Sequence, residues 1–190
     1  MVVNERLLDR QPKPNGKNAG TPHRILGVDP GLHVTGYGVV EVDAANRPHL
    51  REAGVIRAAA RGDLGKRVKS IFDGITELIE AFHPSVLALE ELYSHYQRPR
   101  TAILMGHARG VICLAAAQAG ITVIPYGATQ VKRLLTGSGR APKSQIQRAV
   151  QRELSLAHLP NPPDVADALA IAICHAYLER KQEMIAAAKR

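Results

Sequence analysis

Three apolar segments near the start of the sequence are separated by connections too short to contain a helix. The segments are "ILGV" from Ile25, "GYGVVEV" from Gly36 and "LREAGVIRA" from Leu50, and their length and composition predict strands. Connections this short join strands that run in opposite directions. The sequence therefore predicts three antiparallel strands, which restricts the chain to folds built around a sheet.

The pattern changes at Leu64, where apolar residues begin to recur every three or four positions as far as Phe82. This spacing predicts an amphipathic helix that ends before Pro84. A fourth strand, "SVLALE", a helix from about Thr101 to Ala119 and a fifth strand, "ITVI", are predicted next. Further helices are predicted over 128–135, 144–154 and about 163–178. Together these elements predict an α/β fold with a mixed five-stranded sheet covered by helices.

The length of the chain bounds its domain organisation. With 190 residues there is room for one well-buried core, and we expect a single domain over residues 24–180. Residues 1–23, which include "QPKPNGKNAGTP", lack hydrophobic periodicity, so we expect a disordered basic tail there. Residues 181–190 are expected to form a C-terminal tail or an extension of the last helix.

The sequence has an excess of positive charge. Lys and Arg number 25 against 17 Asp and Glu, which gives a formal net charge of +8 at pH 7. Such an excess favours a polyanionic partner, with nucleic acid as the leading candidate, but charge alone does not separate this from an ordinary basic protein. No apolar run is long enough to span a membrane, and the first residues do not resemble a signal peptide. We therefore expect a cytoplasmic protein without membrane contact.

Four carboxylates stand at positions where a sheet protein places its ligands. Asp29 ends the first strand and Glu90 ends the fourth, with Glu91 as an adjacent alternative. Asp164 and Asp167 lie on one face of a predicted helix, and the apolar sequence around Asp167 predicts a buried carboxylate that needs a partner. Taken singly, each acid could be a solvated charge. If the first and fourth strands are neighbours, the four acids instead form an all-oxygen site for Mg²⁺ or Mn²⁺, and two such ions about 4 Å apart can support phosphodiester hydrolysis.

An aromatic and basic stretch, "YSHYQRPRTA", follows shortly after Glu90. It contains Tyr93 together with Arg98 and Arg100, in a protein with five Tyr, two Phe and no Trp. Exposed aromatic rings among basic residues are suited to stacking on unpaired bases. The alternative is that Tyr93 packs into the core as the last residue of its strand.

The loop "TGSGRAPKSQ" lies within a second basic cluster. Lys132 precedes this loop, while Arg140 and Lys143 lie in it. A basic loop with two glycines can contact phosphates through both side chains and backbone amides, although alone the cluster could be a solvated surface. For Gly31 and Gly36, which follow Asp29, we expect a tight turn and close approach of a phosphate.

Several motifs occur in a fixed order from Arg24 to about Leu178: "GVDPGLHVTGYGVV", "LALEELY", "HARGV", "YGATQVKRLLTGSGRAPKSQIQ" and "DVADALAIA". Together they closely resemble the motifs of the RuvC Holliday-junction resolvases, which have an RNase H-like fold. The resemblance implies an RNase H-like mixed sheet flanked by helices on both faces. It also implies that the protein resolves Holliday junctions by paired, symmetric nicks during homologous recombination and DNA repair.

The same resemblance implies roles for individual residues. Asp29, Glu90, Asp164 and Asp167 match the four catalytic metal-binding acids, and Glu90 is favoured over Glu91 because it aligns with the acid of the family's "AIE" segment. Tyr93 matches an aromatic residue that wedges into the junction, and Lys132 and Lys143 match DNA-binding lysines. The resemblance further implies Mg²⁺, with two ions per site and Mn²⁺ as a substitute, a homodimer, four-way junction DNA as the substrate, and the RuvA and RuvB branch-migration proteins as partners.

Two other functions are compatible with parts of the sequence. An actin-like phosphotransferase also begins with an Asp-containing strand and a Gly-rich hairpin, but such proteins need two related domains, and no GxxxxGK[ST] motif is present. A catalytically silent junction-binding scaffold would keep the basic surface but would not need four intact acids. Nucleotide binding would identify the first, and junction binding without cleavage would identify the second.

Overall fold

A mixed sheet forms the centre of the computed structural model, which describes residues 5–6, 22–58, 63–92 and 99–189. The strands in chain order are β1 (Glu5–Arg6), β2 (His23–Asp29), β3 (Val34–Val42), β4 (Pro48–Arg57), β5 (Val86–Glu90) and β6 (Thr122–Tyr126). They lie in the order β1-β4-β3-β2-β5-β6. β2, β3 and β4 pair antiparallel, whereas β5 is parallel to β2 and β6 is parallel to β5. The prediction of three antiparallel strands within a mixed sheet is confirmed.

The two-residue strand β1 extends the five predicted strands at one edge by pairing with β4. It falls in the segment predicted to be a disordered tail, and β2 begins at His23, the last residue assigned to that tail. Residues 1–4 and 7–21 lie outside the described part of the chain. The tail therefore remains a prediction for those residues.

Helices cover both faces of the sheet, as predicted. They are α1 (Leu64–Phe82), α2 (Pro99–Gln118), α3 (Ala128–Thr136), α4 (Lys143–Glu153) and α5 (Pro163–Ala188). One apolar core lies between the sheet and α1 and α2, and a second lies between the sheet and α3, α4 and α5. Within the described ranges, no helix has the length and apolar character needed to cross a membrane.

The last helix runs through the segment for which a tail or a helix extension was predicted. α5 continues beyond Leu178 to Ala188, so the 181–190 segment is largely an extension of the helix. The residues of this extension are exposed, which is why hydrophobic periodicity did not indicate them. They include Lys, Glu, Met and Ala, which all have high helix propensity, and this preference accounts for the continued helix.

Strand alternation directs the two strand-end acids to the same face of the sheet. Successive side chains of a strand point to opposite faces, and Ile25 and Gly27 of β2 face α5. Asp29 continues that alternation on the same side. In β5, Ala88 belongs to the core beneath α5, which places Glu90 on that face too. Both carboxylates therefore point towards the helix that carries Asp164 and Asp167.

Gly36 allows α5 to lie directly against β3. A Cβ atom at this position would stand 2.1 Å from the backbone oxygen of Asp164. The expectation that Gly36 admits a phosphate is therefore wrong, because the space above it is filled by the first turn of α5. The expectation of a tight turn at Gly31 is confirmed, since a Cβ there would lie 2.1 Å from the backbone oxygen of Val34.

Gly36→Ala is expected to displace the N-terminal turn of α5 and to lower the free energy of unfolding by about 1–3 kcal/mol, as overpacking usually does. Gly38→Ala is a comparison on the same strand and face that should cost less, because its nearest neighbours are side-chain atoms of Leu169, with Cδ2 at 2.5 Å and Cγ at 2.8 Å, rather than a backbone oxygen. Thermal denaturation of both variants checks this. If Gly38→Ala lost as much stability as Gly36→Ala, the Gly36 contact would not be the tighter one.

Candidate active site

Asp29 and Glu90 are brought together by the pairing of β2 with β5. These strands run parallel with Val28 paired to Leu89, so the next residue of each lies at the same edge of the sheet. The two side chains are close enough that Glu90 contributes to raising the pKa of Asp29. The predicted juxtaposition of two strand-end acids is thus present.

The environment of Asp29 opposes its negative charge. Burial, the hydrogen bond to Glu90 and the charges of Glu90, Asp167 and Asp164 raise the pKa of Asp29 from 3.8 to about 9, with burial as the largest cause. A folded protein tolerates such crowding when a cation neutralises it. The charge at the site therefore favours a bound cation.

The N-terminal part of α5 supplies the other two acids. Asp164 lies in its first turn, and Asp167 follows on the side of the helix that faces the sheet edge. The Asp167 side chain is 24% exposed. The prediction of a buried carboxylate is therefore wrong, because Asp167 is only partly buried. Its neighbours in sequence are buried, whereas Asp167 itself faces an open cavity and the ammonium group of Lys143, at 3.1 Å from Oδ2.

A cavity of about 210 Å³ connects these groups. It is lined by Asp29, Glu90, Ala128, Val131, Lys132, Lys143, Ile146, Asp167, Ala170 and Ile171. Three predicted acids and two predicted lysines thus share one space. Asp164 is not among the lining residues, but it acts electrostatically on both Asp29 and Lys143.

The remaining predicted DNA-contacting residues lie elsewhere or outside the described residues. Arg140 is exposed in the loop between α3 and α4, and Arg100 is exposed at the start of α2. Tyr93 and Arg98 fall within residues 93–98, which the structure does not describe. The choice between a base-stacking Tyr93 and a core Tyr93 thus stays open.

Arg109 is a residue near the site that sequence reasoning did not single out. It lies within the "HARGV" motif on α2, and its guanidinium donates a hydrogen bond to the backbone oxygen of Glu90. This contact ties the end of β5 to α2. Glu91, by contrast, is exposed, and its backbone N–H donates to the backbone oxygen of Tyr126 at 2.8 Å. The geometry thus favours Glu90 over Glu91 as the acid that faces the cavity.

Two helices begin at the cavity. Ala128 is the first residue of α3 and Lys143 is the first of α4, and both line it. Gly127 precedes α3 and Pro142 precedes α4, and neither residue caps the first backbone amides of its helix with a side chain. Helix N-termini with free amides attract anions such as phosphate. The cavity therefore combines an acidic wall with groups suited to an anion.

Comparison with known proteins identifies the family. A family model described as "Crossover junction endodeoxyribonuclease RuvC" matches residues 25–175. The chain belongs to the RuvC family. A crossover junction endodeoxyribonuclease RuvC from Rhodopirellula baltica is 54% identical over 159 residues, covering 84% of this chain and 89% of the relative. One from Moorella thermoacetica is 48% identical over 152 residues, covering 80% and 90%.

A solved structure supports the same assignment. Thermus thermophilus RuvC in complex with Holliday junction substrate has a TM-score of 0.78 and 35% identity, covering 84% of this chain and 96% of that one. The resemblance to a RuvC-type, RNase H-like fold is therefore confirmed.

The donor set of this RuvC-family site fits a hard divalent cation. The groups that converge on the cavity are carboxylate oxygens of Asp29, Glu90 and Asp167, and Asp164 adds negative charge nearby. Oxygen-only sets suit Mg²⁺ or Mn²⁺ rather than Zn²⁺. The ammonium group of Lys143 beside Asp167 shows that positive charge is accommodated there.

Proposed function

We propose that this RuvC-family chain is a structure-specific endonuclease that resolves four-way DNA junctions by paired, symmetric, metal-dependent phosphodiester hydrolysis during homologous recombination and DNA repair. One observation carries the proposal: carboxylates from β2, β5 and α5 share a cavity with Lys132 and Lys143. The name of the relatives and the junction complex of the Thermus protein support four-way DNA as the substrate class.

Within this proposal, Asp29, Glu90, Asp164 and Asp167 are the catalytic acids that hold two Mg²⁺ ions, for which Mn²⁺ can substitute. Ions bound there lower the pKa of a water molecule and stabilise the leaving oxygen. The acids themselves fix the position of the ions, because β2, β5 and α5 are all packed into the core. Asp164 and Asp167 contribute from a single helix, so the placement of α5 sets their distance from Asp29.

The basic groups bind and orient the phosphate. Lys143 lies at the rim of the cavity with its side chain 65% exposed, where it can leave Asp167 and pair with a phosphate oxygen. The free N-terminal amides of α3 and α4 also present partial positive charge to the phosphate. Lys132, Arg140 and Arg100 extend the positive surface along the DNA backbone, and Arg98 and Tyr93 are proposed as DNA contacts on the strength of the resemblance.

The two alternative functions receive less support. A cavity of about 210 Å³ is below the range of about 300–1,000 Å³ usual for small-molecule pockets, which disfavours a nucleotide-dependent phosphotransferase. A binding scaffold would gain nothing from carboxylates that repel each other and the DNA phosphates. A nuclease explains this unfavourable charge, because the bound ions need it.

The proposal is tested by comparing the cleavage of three DNA structures. Purified protein in Mg²⁺ is incubated with a labelled four-way junction, a duplex of the same sequence and a single strand. We expect the junction to be nicked and the two linear substrates to remain intact. Nicking of all three at similar rates would indicate a general nuclease, and hydrolysis of ATP without nicking would indicate a phosphotransferase.

Tyr93→Ala is expected to impair junction cleavage more than duplex binding, because a base-stacking ring acts only where the helix is open. Each stacked base is worth about 1–3 kcal/mol, so cleavage should fall by about one to two orders of magnitude. Tyr93→Phe keeps the ring and should restore activity. Equal losses on both substrates would favour core packing for Tyr93.

A homodimer is part of the proposal, because two nicks in opposite strands need two sites related by symmetry, and an isologous dimer supplies them. The exposed face of α2 is the candidate interface. Ile103 is 64% exposed and Leu114 is 49% exposed, and the exposed Gly106 and Gly110 lie between them on the same helical face. Apolar side chains this exposed on one face indicate a surface that another molecule covers.

Ile103→Asp is expected to dissociate the dimer, because a charge at the centre of an apolar interface costs about 2 kcal/mol or more, which is about 30-fold in Kd. Ile185→Asp, at the 46% exposed Ile185 of α5, is the matched control and should remain dimeric. Light scattering at micromolar concentration measures both. A wild-type monomer with intact cleavage would contradict the dimer, and dissociation by Ile185→Asp alone would move the interface to α5.

The resemblance also supports a place for the protein in the cell. We propose that it acts in the cytoplasm beside the RuvA and RuvB branch-migration proteins. Co-purification of the chain with RuvA and RuvB on junction DNA would support this placement, and cleavage that never depends on either protein would count against it.

A further inference from the structure

Three side chains converge at the end of β2 opposite the acid cavity. His23 is the first residue of β2, and His175 and Glu179 lie one turn apart on α5. One potential ligand atom from each lies within 4.8 Å of the others. Oε2 of Glu179 is 2.6 Å from Nε2 of His23 and 3.8 Å from Nε2 of His175. Two imidazole rings thus point towards a single carboxylate oxygen.

Hydrogen bonds orient the ring of His23. The hydroxyl of Ser85 lies 2.8 Å from Nδ1 of His23 and 3.0 Å from the backbone oxygen of Arg24. On the other side of the ring, Nε2 of His23 lies 2.6 Å from Oε2 of Glu179. When Ser85 donates to Arg24 and accepts from Nδ1, Nε2 carries the lone pair, as a metal-bound imidazole requires.

The buried ring of His175 favours a metal ion over a proton between these side chains. The residue is only 7% exposed, and within the described part of the chain its Nε2 is buried without a hydrogen-bond partner. Its Nδ1 lies 2.7 Å from the hydroxyl of Tyr126, which holds the ring in place. A proton on His23 would satisfy Glu179 but would leave Nε2 of His175 unpaired, whereas a metal ion would satisfy all three atoms.

We propose that His23, His175 and Glu179 bind a divalent transition-metal ion of the zinc class and thereby fasten α5 to the start of β2. Two imidazole nitrogens and one carboxylate are a zinc donor set, with a fourth position for water, and they disfavour Mg²⁺. Tetrahedral ligands about 2.0–2.1 Å from zinc stand about 3.3 Å apart. The observed separations of 2.6 and 3.8 Å lie on either side of this value, so small side-chain shifts complete the site.

This ion is separate from the proposed nuclease centre. The seven residues of β2 place His23 and Asp29 at its opposite ends, about 20 Å apart at the rise of a strand. The ion holds the helix that carries Asp164 and Asp167 at the end of β2 away from the acid cavity. The Nδ1 partners Ser85 and Tyr126 act as outer hydrogen-bonding groups, which orient metal-bound histidines.

The test is a Zn²⁺ titration of the metal-stripped full-length chain, in competition with a chromophoric chelator and in excess Mg²⁺ to occupy the acid cavity. We expect one Zn²⁺ per chain bound with micromolar or tighter affinity, and a higher Tm on binding. Because loss of an outer partner alone reduces metal affinity by about 10- to 100-fold, His23→Gln and Glu179→Gln should each reduce it by at least about 100-fold. Ser85→Ala should reduce it by about tenfold.

Two controls make the result specific. His49→Gln removes another imidazole that pairs with a carboxylate, Asp43 at 3.0 Å, and should leave Zn²⁺ affinity unchanged. Asp167→Asn should also leave it unchanged. Circular dichroism without Zn²⁺ verifies that each variant is folded, and the visible spectrum of the Co²⁺ form reports the nitrogen ligands directly. The proposal is overturned if the wild type lacks a tight site, if His23→Gln and Glu179→Gln bind as the wild type does, or if only Asp167→Asn loses the ion.

Discussion

Replacing Asp29 by Asn is expected to reduce junction nicking in Mg²⁺ by roughly a thousandfold or more, the size usual for a lost electrostatic group in an active site. The amide is nearly isosteric, so β2 and its turn should persist. One anionic oxygen is nevertheless removed from the site that must hold the ions. Glu91→Gln is the matched control, because Glu91 is an exposed acid next to Glu90, and it should cleave at nearly the wild-type rate.

The same substitution should have the opposite effect when no metal is present. In EDTA the acids repel the junction phosphates, so Asp29→Asn should bind the junction as tightly as the wild type or more tightly. If the variant nicks at nearly the wild-type rate, Asp29 is not a metal ligand and the constellation must be reassigned. If it loses both binding and folding, Asp29 has a structural role.

Stability in EDTA provides a third measurement on Asp29→Asn. Burial and neighbouring acids raise the pKa of Asp29 from 3.8 to about 9, so the folded state holds a proton that the unfolded state releases above pH 4. Wild-type stability should therefore decrease as the pH rises from about 4 towards 9. The Asn variant lacks this group and should be the more stable protein at pH 8, with about 2–4 °C in Tm for each kcal/mol. A lower Tm for the variant at pH 8 would contradict the raised pKa.

Lys143→Ala is expected to reduce cleavage by about 10- to 100-fold and to decrease the slope of log affinity against log salt by about one. Lys143 stands 3.1 Å from Asp167, and the hydrogen bond and charge of Asp167 raise the pKa of its ammonium group. The group is therefore charged throughout the neutral pH range, and it lies where a phosphate must approach the acids. Its loss should weaken both DNA binding and positioning.

Lys181→Ala is the matched control for Lys143. Lys181 is an exposed residue on the extension of α5, and its replacement removes the same charge away from the acid cavity. Cleavage and the salt slope should remain close to wild type. If the two variants lost equal activity, net charge rather than the position of Lys143 would explain the effect. An unchanged slope in Lys143→Ala would remove this residue from the interface.

The sheet and its helices were predictable because each element carries its own hydrophobic pattern. The pattern from Leu64 to Phe82, for example, matches the bounds of α1. The neighbouring acids Asp29 and Glu90 followed from strand order, since parallel strands end at one edge. For residues 181–190 the sequence left a tail and a helix extension both open, because these residues are exposed and carry no hydrophobic periodicity.

Features that depend on contacts between distant segments were not predictable. Gly36 was assigned to a phosphate because nothing in the sequence indicates that α5 lies against it. The contact of Arg109 with the backbone of Glu90 depends on how α2 packs on the sheet. His23 and Glu179 are 156 positions apart, and only the packing of α5 across β2 makes them neighbours.

The most direct test is cleavage of a synthetic four-way junction by the purified protein, with each of the four strands labelled in turn, in Mg²⁺ and in EDTA. The proposed function predicts nicks at symmetrically related positions in two opposite strands, formed together in Mg²⁺ and absent in EDTA. A junction that is bound but uncut in both Mg²⁺ and Mn²⁺, or that is cut equally well in EDTA, would contradict it.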